Sequence, residues 1–237
     1  TRSDLSTAEK KRLNNWLSSI LETGTSKYTQ PSPQELRHQE LGSYILVADQ
    51  VAGDTVQALR RFNIDEILDF AIKVAAVLSV DVYYKPHPMG MTSRKAVQLA
   101  KSGSLRIFEN ANLGVLLDNA ESVLVINSAV GFEALLRNKP VITFGYSDYE
   151  FATWSVHSLE DVSQVVEHIK RFSPDSAFQK KVRAFLYEYI FEWMVNLDTW
   201  VNEEFVTRLE RMAGSDPPTI SNDQATDVVS CNDRRRP

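Results

Sequence analysis

The sequence predicts an α/β fold: one Rossmann-like, doubly wound parallel sheet followed by C-terminal helices. Two observations carry this. Short apolar runs that read as buried strands alternate with helical stretches from Ser43 to Arg171, and such alternation implies parallel βαβ units. Polar motifs then follow two of those strands: Lys85-Pro86-His87-Pro88, and Asn127-Ser128 through Leu135. They stand at carboxyl ends of strands, the edge where open α/β sheets bind ligands.

The elements follow in order. Leu5–Leu21 has helical apolar spacing, with Ser6 and Glu9 as a capping box and Gly24 as a stop. Thr25–Gln39, polar and with two prolines, reads as a connector. Ser43–Ala48 is a strand, Asp49–Asn63 a polar loop, and Ile64–Leu78 an amphipathic helix capped by Asn63. Then come strand Val80–Tyr84, helix Ser93–Lys101, strand Leu105–Phe108 and helix Leu113–Asn119. Strand Val123–Ile126, helix Ala129–Arg137, strand Pro140–Phe144 and helix Leu159–Arg171, capped by Ser158, complete the alternation. About five strands over about 130 residues make one such domain, not two.

Beyond Pro174 the pattern turns helical, over Phe178–Trp193 and Leu197–Met212. The aromatics there (Phe185, Tyr187, Tyr189, Phe191, Trp193, Trp200, Phe205) fit a core stripe or a surface for a partner domain. From Ala213 the composition is that of a disordered tail. The division is therefore 1–40 helix and connector, 41–172 Rossmann-like domain, 173–212 C-terminal helices and 213–237 tail.

Composition removes several classes. A net charge of -5 gives no reason to expect nucleic-acid binding. The single Cys231 excludes an intramolecular disulfide framework and a Cys-rich zinc site. Four histidines without paired helical spacing argue against a metal site. No apolar run nears the roughly 20 residues that span a bilayer. The chain opens Thr1-Arg2-Ser3-Asp4, and reads as a piece of a longer cytosolic polypeptide.

Several residues could carry chemistry. Pro86 and Pro88 restrict the backbone on both sides of His87. So fixed, His87 either presents a ring nitrogen to a phosphate or is a histidine in a surface turn. Lys85 beside it is a possible cation for the same anion. Ser128 stands at the N-cap of the next helix, where free N–H groups suit a phosphate and where plain capping needs no ligand. Gly131 permits close approach of a ligand or a strand. Glu133 either faces the helix dipole or accepts ribose hydroxyls. Asp49-Gln50-Val51-Ala52-Gly53-Asp54 follows the first strand, so both carboxylates belong to the same edge. Asp54 is either a nucleophile or base, or a turn aspartate after glycine. Gly145–Tyr149 has the composition of a ligand loop.

Taken together, these segments resemble the bacterial β-Kdo transferases of capsule and lipopolysaccharide assembly. The matching pieces are Lys27-Tyr28, Gln50-Val51 with Asp54, Tyr84-Lys85-Pro86-His87-Pro88, Ser128 with Gly131-Phe132-Glu133-Ala134-Leu135-Leu136, and Pro140-Val141 with Gly145. The chain departs from that pattern at Val56, Asn127 and Tyr146-Ser147-Asp148-Tyr149, which bears on the acceptor more than on the donor.

The resemblance implies the nucleotide-binding half of a GT-B glycosyltransferase, with the acceptor-binding N-terminal domain missing. It implies a CMP-Kdo donor, no cofactor or metal, and a saccharide or lipid-linked saccharide acceptor. A cytoplasmic place is implied, with a peripheral position at the inner membrane left open. Asp54 and His87 would be catalytic, with Asp49 the competing carboxylate. Gln50, Lys85, His87, Asn127, Ser128, Gly131 and Glu133 would hold the donor. The alternatives are a teichoic-acid-type phosphotransferase using a CDP-alcohol, and a nucleotide-binding module inactive without its partner domain.

Overall fold

The computed structural model describes residues 4–24, 26, 28–34, 41–51, 53–173 and 176–194. The chain divides into two compact units, residues 1–188 and 189–237. The first opens with helix α1 (Thr7–Thr23), whose capping box is formed: Glu9 N donates to Ser6 Oγ and Ser6 N to Glu9 Oε2. Gly24 closes it at φ 61°, a left-handed geometry glycine adopts at little cost.

Six parallel strands follow in the order β3-β2-β1-β4-β5-β6. They are β1 (Tyr44–Ala48), β2 (Asp81–Lys85), β3 (Arg106–Ile107), β4 (Ser122–Val125), β5 (Val141–Thr143) and β6 (Trp154–Ser155). The three strands β1, β4 and β5 are buried along their whole length. Helices cover both faces of a parallel sheet, which is why these strands are continuous apolar runs. The sequence predicts about five strands; β6 is the sixth. Two residues at a sheet edge give no periodic signal, and Trp154 and Ser155 join only through pairing with Ile142 and Thr143.

On one face lies α2 (Ile64–Leu78), with Asn63 and Glu66 as its capping box. It buries Ile67, Leu68, Phe70, Ala71, Val74 and Ala75 against Ile45, Val47, Tyr84, Leu124 and Phe144. Burial of side chains the size of Phe70 or Leu68 contributes about 1.5–3 kcal/mol each. Helices α3 (Arg94–Lys101) and α6 (Val162–Arg171) supply Ala96, Val165 and Val166 to the same core. The α6 start differs from the expected Leu159. Ser158 Oγ instead accepts from Glu160 N in a preceding turn, and Asp161 takes the cap position.

On the opposite face are α4 (Leu113–Asn119) and α5 (Ala129–Leu136). There Tyr44 and Tyr83 stack with ring centroids 3.9 Å apart. The Tyr44 hydroxyl donates to Leu116 O at 2.6 Å, and that of Tyr83 to Leu41 O. Burial raises the pKa of both phenols.

The last helix of this unit, α7 (Ala177–Glu188), buries Val182, Ala184, Leu186 and Tyr187. It meets α1, where Arg12 Nη1 donates to the Tyr187 hydroxyl at 3.4 Å. In the second unit, Tyr189–Trp193 winds more widely, with Met194 N donating to Tyr189 O at 2.8 Å. The expected helix Phe178–Trp193 is thus two pieces. The expected helix Leu197–Met212, the tail from Ala213 and residue Lys27 lie outside the described residues. Among those described, no helix is long and apolar enough to cross a membrane.

Candidate functional site

The strand order reverses between β1 and β4, so the crevice at their carboxyl ends is the topological switch point. Register fixes what stands there. Ala48 pairs with Lys85 on one side and Val125 on the other. Two residues on, Gln50, His87 and Asn127 therefore leave three neighbouring strands at one level.

Gln50 and Asn127 are both buried and hold each other. Gln50 Nε2 donates to Asn127 Oδ1 at 2.9 Å, and Asn127 N donates to Gln50 Oε1 at 3.2 Å. Asn127 Nδ2 also donates to Val56 O and Tyr146 O, at 2.8 and 3.0 Å. Both side chains thus brace the crevice floor. Val56 belongs to a 3₁₀ turn, Thr55–Leu59, within what the sequence reads as a polar loop. Asp54 caps that turn, its carboxylate accepting from Val56 N at 3.4 Å, and is exposed. The turn is tied to the loop after β5: Tyr146 N donates to Leu59 O at 3.0 Å and Arg61 N to Phe144 O at 2.9 Å. Gly145 fits closely there. A Cβ on it would lie 3.0 Å from Leu59 O and from Ile126 Cγ2.

Asp49 sits differently from Asp54. It is half-buried, one oxygen accepting from Gln50 N at 2.7 Å and the other from the Tyr84 hydroxyl. Burial raises its pKa, opposed by the Tyr84 and Gln50 bonds and by the nearby His87. Burial also raises the pKa of Tyr84, and the Asp49 charge adds to it.

The His87 turn is fixed from within. Met89 N donates to His87 Nδ1 at 3.1 Å, so the neutral ring carries its proton on Nε2. Tyr28, from the connector, meets the ring edge-on with centroids 5.0 Å apart. The turn abuts the Asp49–Asp54 loop: a Cβ on Gly90 would lie 3.4 Å from His87 Cβ and 3.9 Å from Val51 Cα. Lys85 is half-buried, and its ammonium donates to Glu109 O beyond β3 at 2.6 Å. Burial lowers its pKa, with Glu109 opposing.

Ser128 is the N-cap of α5, its hydroxyl accepting from Val130 N at 3.3 Å. Its carbonyl accepts from the buried Tyr149 hydroxyl. A Cβ on Gly131 would lie 2.5 Å from that hydroxyl and 2.9 Å from two ring carbons. The close approach that Gly131 permits is therefore made by Tyr149. Glu133, one turn along α5, accepts from Ser26 Oγ at 3.0 Å. Sequence reasoning marks Tyr28 only as part of the Lys27-Tyr28 match and passes over Ser26, yet Ser26 meets Glu133 and Tyr28 meets His87. Arg61 and Tyr149 also went unmarked as individual residues. Among the described residues, no group of three or more His, Cys, Asp or Glu is placed to hold a metal ion.

Residues 9–187 match the family model described as capsule polysaccharide biosynthesis protein. The chain belongs to this family. It is 31% identical over 148 residues to the capsule polysaccharide modification protein LipA of Neisseria meningitidis serogroup B, and 30% identical to that of serogroup A. The alignment covers 58% of this chain and 20% of each LipA, so the chain spans about a fifth of these curated relatives. Among solved structures, it resembles the β-Kdo 2,4 transferase of Thermosulfurimonas dismutans KpsC, with a TM-score of 0.50 and 20% identity. That match covers 76% of this chain and 56% of the other. At that identity the likeness concerns the fold alone.

Proposed function

We propose that this chain is the donor-binding lobe of a retaining glycosyltransferase. It would move β-Kdo from CMP-Kdo to a saccharide acceptor of a bacterial surface polysaccharide. One observation supports this most: the Asp54 loop, the His87 turn and the Ser128 helix start leave β1, β2 and β4 at one sheet edge, around the switch point. Membership of a capsule biosynthesis family and the fold likeness to a β-Kdo transferase point the same way.

The chemistry then follows from placement. The α5 N-terminus and the Nε2–H of His87 offer hydrogen-bond donors to the phosphate of CMP, stabilising it as it departs. Asp54 attacks the anomeric carbon as the C–O bond to phosphate breaks, giving a glycosyl-enzyme ester. An acceptor hydroxyl then displaces the ester and loses its proton, and two inversions give retention. Asp54 suits the nucleophile because it is exposed and, among the described residues, its carboxylate accepts one hydrogen bond, at 3.4 Å. Asp49 has both oxygens engaged and suits a positioning role. Glu133 would accept ribose hydroxyls. The acceptor lobe, and the base for the acceptor, would come from sequence outside this chain.

The test is mass spectrometry of the full enzyme incubated with CMP-Kdo. Wild type should gain the mass of one Kdo, and Asp54→Asn should gain none. Undiminished transfer by Asp54→Asn removes the nucleophile assignment. A phosphodiester in the product would instead favour the CDP-alcohol phosphotransferase.

A further inference from the structure

Arg61 follows the 3₁₀ turn and reaches into the loop after β5. Its Nη2 meets the Glu150 carboxylate. Among the described residues, its Nε and Nη1 are buried without a hydrogen-bond partner, and so is the Ser147 hydroxyl. Ser147 and Glu150 share one turn, with Glu150 N donating to Ser147 O at 3.2 Å. The Tyr146 ring lies over the guanidinium, its centroid 4.0 Å from Cζ, and is 56% exposed. Buried charged donors without an acceptor are costly, and native proteins keep few of them. The cluster lies one loop from the switch point, because Tyr146 O accepts from Asn127 Nδ2. It stands on the β5 side, whereas His87 stands on the β2 side.

We propose that Arg61, beneath the Tyr146 ring, and Ser147, in the same turn as Glu150, form a carboxylate subsite that takes the acid group of the transferred sugar. This rests on the reading that the transferred unit is a sugar acid. The guanidinium N–H groups beside the Glu150 contact and the Ser147 O–H suit carboxylate oxygens. A phosphate has its own donors at His87 and the α5 start. Rotation of the exposed Tyr146 side chain uncovers the guanidinium, and the acid then fills the place of the missing acceptor.

The experiment is an NMR titration of the protein, following the Arg61 Nε–H resonance, with Kdo and with its methyl ester. Kdo should move that resonance and the uncharged ester should not. Arg61→Gln should weaken Kdo binding by about 10–100-fold, the range expected for hydrogen bonds to a charged group. Ser147→Ala, which keeps the Arg61–Glu150 pair, should weaken it several-fold with the fold intact. Equal responses to acid and ester would overturn the proposal. So would an Arg61 resonance unmoved by Kdo at tens of millimolar, or Kdo binding unchanged in both variants. CMP titrated in parallel reads the nucleotide assignment separately: a protein that ignores CMP but binds Kdo through Arg61 loses that assignment and keeps the carboxylate subsite.

Discussion

Gln50 and Asn127 hold each other side chain to side chain across the point where the strand order reverses, at 2.9 Å, with a second bond through the Asn127 backbone at 3.2 Å. Asn127 also grips Val56 O and Tyr146 O. One buried amide thus joins the loops after β1, β4 and β5.

Removing that amide leaves the buried Gln50 Nε2 without its acceptor, at about 1–3 kcal/mol, and frees the part-buried Val56 O and Tyr146 O. Asn127→Ala should therefore lose stability by at least that amount in urea unfolding. Combined with Gln50→Ala, it should show a coupling of about 0.5–3 kcal/mol. Additive losses would mean that the two side chains act independently.

Gly131 and Tyr149 form a second pair whose fit is steric. A Cβ at 131 would strike the Tyr149 hydroxyl at 2.5 Å and its ring at 2.9 Å. Gly131→Ala should cost about 1–3 kcal/mol, as overpacking does. Tyr149→Phe should not relieve it, because ring carbons clash too. Tyr149→Leu should relieve part of it in the double variant, as read by thermal melting.

Asp49 predicts a pH dependence. Burial raises its pKa above the ordinary 3.8, so the folded state holds this proton more tightly than the unfolded chain. The contribution to stability is full below 3.8 and is lost as pH rises through the raised value. The stability of wild type relative to Asp49→Asn should therefore decline as pH rises across that window. Denaturant unfolding at several pH values measures this, and a flat difference would count against it.

His168 predicts the opposite sign. Its ring lies tilted against Trp154 with centroids 4.9 Å apart, meets Phe178 edge-on at 5.5 Å, and among the described residues keeps a buried Nε2 without a hydrogen-bond partner. Burial lowers its pKa from 6.5, so the unfolded chain takes the proton first. Stability is full above 6.5 and falls as pH drops toward the lowered value. His168→Phe should flatten wild-type stability between neutral and mildly acid pH.

Much of the fold was legible because its signals are local. Caps such as Ser6 with Glu9 and Asn63 with Glu66 need only neighbours three residues apart. Buried parallel strands announce themselves as apolar runs, as Tyr44–Ala48 does. The shortest elements did not. Trp154-Ser155 is a strand only because β5 is beside it, and Asp54 starts a helical turn whose sequence has no periodicity to read.

For the site, the sequence by itself determined which polar residues leave the carboxyl ends of β1, β2 and β4, because strand alternation and chain order dictate that edge. Only the tertiary structure decided what each of them touches. It turned Gln50 and Asn127 onto each other, set Tyr149 against Gly131, brought Tyr28 to His87 and left Arg61 half-partnered under Tyr146. The reason is range. Secondary structure is written in contacts a few residues apart, whereas Gln50 and Asn127 are 77 residues apart and meet only when the sheet forms.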